Sequence, residues 1–271
     1  MGLNHPPAVL ALGELCVSDP WFMVESDEEA AERAEFACRM IDVIVETRSR
    51  AIAAYEARAP EYLAAFDRWL ARHAKHPWEN DSSGKRQLFD APQLFVAPPD
   101  VDISKLMEVP LRWITQLAGL STTTALSTGG PPFTHARGPG KKCLWSIVPR
   151  GPVRRLEIVD GLGWRQLIEA YPQCIEQGPV SVTPNTKIPG PLYGPSWIDV
   201  AGDWDAVRFT MSGKLRTLFV PMRVFDGWAM LCDENYLEET RWLRPPQGDT
   251  TNHGLLEAFY VRGKPTGFPT P

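Results

Sequence analysis

The sequence predicts an α+β protein: a helical N-terminal region packed on a mostly antiparallel sheet region punctuated by Gly and Pro. Three observations carry this. Apolar residues at helical spacing fill the first 120 positions, and short β-prone runs divided by Gly and Pro fill the rest. Between them the composition changes, because Ser121 to Thr128 is Ser/Thr-rich and runs into Gly129-Gly130-Pro131-Pro132. The expected organisation is a helical region over 1–120 and an α+β region, the candidate catalytic part, over 121–271.

The first predicted helix opens on Ser26-Asp27-Glu28-Glu29, where a Ser hydroxyl can cap an amide and Glu29 can reach back to it. Ala30, Ala34, Ala37, Met40, Ile41, Ile44 and Ile52 then form one apolar stripe. Ala59-Pro60 breaks that helix, and Pro60 suits the first turn of the next, over Glu61 to Lys75, with Leu63, Phe66, Trp69 and Leu70 inward. A short strand is expected at Gln93 to Ala97, stopped by Pro98-Pro99, and a third helix at Ser104 to Leu117. Beyond Leu120 the expected strands are Lys142–Val148, Arg155–Val159, Ala206–Met211, Thr240–Leu243 and Leu256–Val261. Short helices are expected at Gly163–Tyr171, Ile198–Asp203 and Arg223–Cys232.

The 271 residues are 44% hydrophobic and 23% charged, a globular balance that excludes a disordered tail, a collagen or a disulfide-stapled miniprotein. No apolar run approaches the roughly 18 residues a membrane span needs. Met1 to Pro20 lacks a basic leader, and five cysteines without a C-x-x-C spacing read as free thiols. The expectation is a cytoplasmic protein without a membrane partner.

Charge is unevenly spread: positions 1–120 carry −7 and positions 121–271 carry +2, within a total of −5. No acidic residue occurs in 109–156, between Glu108 and Glu157, where Arg112, Arg137, Lys141, Lys142, Arg150, Arg154 and Arg155 fall. Clustered base without acid creates a positive potential that favours an anionic ligand, a dinucleotide or a nucleic acid.

The second half has a recognisable order. It runs Leu144-Trp145-Ser146, then Leu156-Glu157-Ile158, then Trp204-Asp205-Ala206-Val207, and ends on Glu238-Glu239-Thr240-Arg241-Trp242-Leu243. Over about Phe133 to Arg244 this resembles a group of uncharacterised, mainly actinobacterial proteins. The layout is in turn loosely similar to ADP-ribosyltransferase-like folds, which have an early Arg or His, a Ser/Thr-containing strand start and a late Glu. The resemblance implies His135 or Arg137 for the first region, Trp145-Ser146 for the second and Glu238 for the third. The first two regions lie only about ten residues apart, and Tyr236 stands where arginine-modifying members carry Gln or Glu.

The chemistry implied is transfer of ADP-ribose from NAD, as substrate, to an unknown acceptor, nucleic acid or protein. Glu238 would hydrogen-bond the nicotinamide ribose and stabilise its oxocarbenium-like charge. Glu239, its neighbour, would face the other side of a strand, so only one of the two can look into a cleft. His135 would meet a ribose, Arg137 a phosphate, and Trp145 or Trp204 would stack a ring.

Rival chemistries find less support. Ser146 lacks the G-x-S-x-G elbow, and the Gly-rich loop is neither a P-loop nor a Rossmann fingerprint. Cys143 beside Lys142, with His135 or His253 as base, has no cysteine-hydrolase signature around it. Histidine and cysteine spacing predicts no metal site. The alternative is a non-enzymatic interaction or nucleic-acid-binding module using the acid-free stretch 109–156, with Glu238 incidental.

Overall fold

The computed structural model describes residues 5–18, 56–73, 93–106, 120–122, 141–178, 180–183, 186–231, 239–255, 260–261 and 264–265. Helices and mixed sheets share these residues, an α+β architecture. The capped helix expected from Ser26 falls outside them.

Two helices come from the N-terminal region. α1 (Pro7–Ser18) buries Ala8 to Leu12 almost completely, and it packs on α2 (Ala59–His73). α2 starts where the sequence predicts, with Pro60 in its first turn. Its buried stripe is Ala59, Tyr62, Ala65, Phe66 and Trp69, while Leu63 and Leu70 flank it half-buried. The third expected helix is described only as one turn, α3 (Ile103–Leu106).

The sheets are built from β1 (Gln93–Ala97), β2 (Leu120–Thr122), β3 (Cys143–Pro149), β4 (Arg155–Ile158), β9 (Ala206–Phe209), β12 (Glu239–Trp242) and β13 (Gly248–Leu255). One sheet has the order β1-β3-β13 and is antiparallel throughout. The central sheet has the order β2-β12-β9-β4, antiparallel except for β4 beside β9. A third sheet joins β5 (Pro172–Glu176), β8 (Leu192–Pro195), β10 (Met222–Val224) and β11 (Gly227–Ala229), while β6 (Val180–Thr183) and β7 (Thr186–Ile188) pair with each other. Residues 93–97 from the N-terminal region thus pair with β3 of the second half.

β9 and β12 are buried on both faces. On one face Val207 and Phe209 pack with Trp164, Leu167 and Ile168 of α4 (Gly161–Ala170) and with Trp197 and Val200 of α5 (Trp197–Asp203). On the other face Leu120, Ala206 and Trp242 meet Phe95, Ala97 and Ile147 of the first sheet. Asp160 caps α4 by accepting from the Gly163 amide at 2.8 Å.

The strand expected over Leu256–Val261 is described only at its end, β14 (Tyr260–Val261), and β13 precedes it where none was expected; two further stretches take another form than expected. Arg223–Cys232 is not a helix over its described part. It holds the β10–β11 hairpin, with Phe225 at φ 49° in the turn before Asp226-Gly227. Phe225 and Asp226 are the two turn residues, and Gly227, the first residue of β11, is needed because a Cβ would sit 2.2 Å from the Pro191 carbonyl oxygen. Met211–Thr217 forms a helix, α6, instead of extending β9. Thr210 caps it by accepting from the Gly213 amide at 2.9 Å, and a Cβ on Gly213 would lie 2.1 Å from the Ile158 carbonyl oxygen. That close approach delivers the next residue, Lys214, into the interior.

Candidate functional site

Ser146 sits in the middle strand of the β1-β3-β13 sheet, in register with Leu94 on one side and Thr251 on the other. Strand alternation sends it to the face opposite Trp145. Its side chain is 6% exposed, and its Oγ lies 2.8 Å from Nε2 of a half-buried histidine, His253. The sheet brings these residues together across 107 positions of sequence. Register slips by one between Asn252 and Gly254, so His253 is the extra residue of a β-bulge. Gly254 completes the bulge at φ 99°, and its amide donates to the Asn252 Oδ1 at 2.8 Å. Nothing in linear spacing pairs Ser146 with His253. Cys143, the thiol considered for that histidine, is buried on the other face of β3, paired with Leu255.

The second concentration of chemistry is inside the central sheet. Glu239 opposes Phe209, and Arg241 opposes Val207, so all four side chains share the face that packs on the helices. Glu239 Oε2 accepts from Lys214 Nζ at 2.5 Å and from Arg241 Nη2 at 3.3 Å, and each of these side chains is at most 2% exposed. The Arg241 guanidinium also lies 4.9 Å from the Phe209 ring centre and 5.5 Å from that of Trp197. The opposite face holds a matching group in which Glu157 accepts from Arg155 at 2.8 Å and from Arg208 at 3.2 Å. These buried charges are hydrogen-bonded and committed to one another. Glu239 is therefore a structural carboxylate. Glu238, the residue before β12, lies outside the described residues, as do His135 and Arg137.

The two candidate tryptophans lie in different surroundings. Trp145 stacks on Phe95, with ring centres 6.3 Å apart, and its indole donates to the Pro98 carbonyl at 3.2 Å. Trp204 packs against the helix-side core, and its indole donates to the Tyr171 hydroxyl at 3.3 Å. Both rings serve packing, and neither lies on the Ser146 face of β3.

The acid-free interval is less bare in space than in sequence. Arg150 pairs with Asp249, Arg154 with Asp205 at 3.1 Å, and Arg155 with Glu157. The Arg154 hydrogen bonds hold the Asp205 carboxyl below its ordinary range. Asp203 accepts from the Tyr171 hydroxyl at 2.7 Å, which pushes that phenol up. Burial raises the Cys16 thiol to about 11, so it is a poor nucleophile.

Among the described residues no group of three or more His, Cys, Asp or Glu side chains could hold a metal, and no helix is long and apolar enough to cross a membrane. Comparison with protein-family models, with curated proteins and with solved structures gives no match.

Proposed function

We propose that this chain is an NAD-dependent ADP-ribosyltransferase-like enzyme that transfers ADP-ribose to a macromolecular acceptor, nucleic acid or protein. Glu238 hydrogen-bonds the nicotinamide ribose and stabilises positive charge as the C1″–N bond breaks. Nicotinamide leaves with the bonding pair, the acceptor forms the new bond to C1″, and a carboxylate takes the acceptor proton. Ser146 contributes a hydroxyl held in place by His253. His135 and Arg137 complete the dinucleotide contacts.

The observation that carries this reading is the commitment of Glu239. Of two adjacent carboxylates at the start of β12, the second is consumed by Lys214 and Arg241. Catalytic work by a late glutamate then falls to Glu238, as the motif order implies. The pairing of Arg150, Arg154 and Arg155 favours an enzyme over a binding module, because it removes three of the seven bases on which that module would rely.

The test is nicotinamide release from NAD by the purified protein, with and without nucleic-acid and protein extract, beside Glu238→Gln. Release that disappears in the variant supports the reading. No release and no NAD binding would sink it, and would leave the basic stretch as a binding surface.

A further inference from the structure

We propose that Ser146 and His253 form a nucleophile–base dyad, giving the chain a hydroxyl that attacks small, apolar acyl esters. The proposal concerns the reactivity of the hydroxyl and stands whether or not NAD is a ligand.

Three observations point to it. The Oγ to Nε2 distance of 2.8 Å is hydrogen-bond contact between a nucleophile and a base. Next, the β13 strand departs from regular pairing at this place, and the residue it inserts is the histidine that touches Ser146. Bulges re-aim side chains and recur beside active sites. Finally, the hydroxyl is shielded while its partner is half-exposed, with half-buried Leu94 beside it and exposed Thr251 across the strand. The hydroxyl thus has an apolar neighbour on one strand, which suits an apolar acyl group, and a polar, wetter neighbour on the other. Nucleophile and base are recognised by geometry and role, so the missing G-x-S-x-G elbow does not remove them.

The step balances as follows. The Ser146 Oγ forms a bond to the acyl carbon while His253 Nε2 takes the hydroxyl proton. The ester C–O bond then breaks, and the alkoxide leaves as alcohol with that proton. Water, deprotonated by the same nitrogen, releases the acid and restores the serine. Among the described residues no carboxylate bonds the His253 ring.

The experiment treats the folded protein with a fluorophosphonate probe and maps the modified peptide by mass. Modification is expected at Ser146, absent in Ser146→Ala and slower by on the order of 10²-fold in His253→Gln, the share a general base supplies. Urea-unfolded wild-type protein gives the background rate and needs no variant to fold. Labelling of folded Ser146 no faster than this background would overturn the proposal. So would an unchanged rate in a folded His253→Gln.

Discussion

Two polar clusters in this molecule use the same kinds of groups for opposite ends. Glu239, Lys214 and Arg241 lie inside the central sheet, charged and closed off from water. Ser146 and His253 lie on the middle and one edge strand of a three-stranded sheet, joined by one hydrogen bond, with the hydroxyl buried and the imidazole half-buried. In the first cluster one carboxylate is shared by two cations, so its chemistry is spent on structure. The second holds a hydroxyl and an imidazole in contact, with the imidazole as its half-exposed member. Charge density is a poor guide to reactivity; a nucleophile with a single well-placed base is a better one.

The largest expected effect comes from breaking the inner cluster. Glu239→Ala removes the carboxylate that Lys214 and Arg241 share and should cost about 3–5 kcal/mol, read from urea unfolding. Lys214→Met leaves Glu239 with Arg241 and should cost less. A change within about 0.5 kcal/mol in Glu239→Ala would show that the cluster is not structural.

The outer pair should behave otherwise. Ser146→Ala and His253→Gln should each lose about 1 kcal/mol, the net worth of one hydrogen bond. The double variant should lose little more than either alone, because both remove the same bond. Full additivity would mean that the two residues act separately.

Smaller effects sharpen the contrast between spent and available groups. Cys16 should alkylate on the order of 10²-fold more slowly than an ordinary thiol at pH 8, since burial raises it from 9.0 to about 11 and lowers its thiolate fraction. Peptide mass after iodoacetamide treatment reads this directly. Asp205→Asn should lose at most about 1 kcal/mol at neutral pH, because its partner Arg154 is half-exposed. Its folded carboxyl is depressed, so the stability it supplies is present above the ordinary carboxylate pKa and is lost as pH falls through the folded value. The gap between wild type and variant should therefore close in acid.

Much of the secondary structure is legible in the sequence because local signals agree there. Pro60 and the apolar stripe place α2, Pro98-Pro99 ends β1, and β-branched and aromatic runs mark β3, β4, β9 and β12. The β10–β11 hairpin is misread as a helix because Val224, Trp228 and Leu231 mimic helical spacing, and its turn residues, Phe225 and Asp226, include a bulky residue at φ 49° that no turn preference announces. α6 escapes notice because its start depends on Gly213 approaching Ile158, a contact far apart in sequence.

The site is less legible than the fold. Ser146 is visible in the motif order, but His253 joins it only through sheet pairing and a bulge. The acid-free interval misleads for a related reason: the partners of Arg150 and Arg154 are Asp249 and Asp205, which a sequence window cannot include. Glu238 and Glu239 look alike in the chain, and only the position of Lys214 and Arg241 shows that Glu239 is engaged.

That neighbouring pair of glutamates gives the most direct test. Glu238→Gln and Glu239→Gln should be compared for urea midpoint and for nicotinamide release from NAD. Glu238→Gln should keep the wild-type midpoint and lose release, whereas Glu239→Gln should lower the midpoint by removing the buried charge. Full release from Glu238→Gln, or a Glu239→Gln protein as stable as wild type, would contradict this division between catalytic and structural carboxylate.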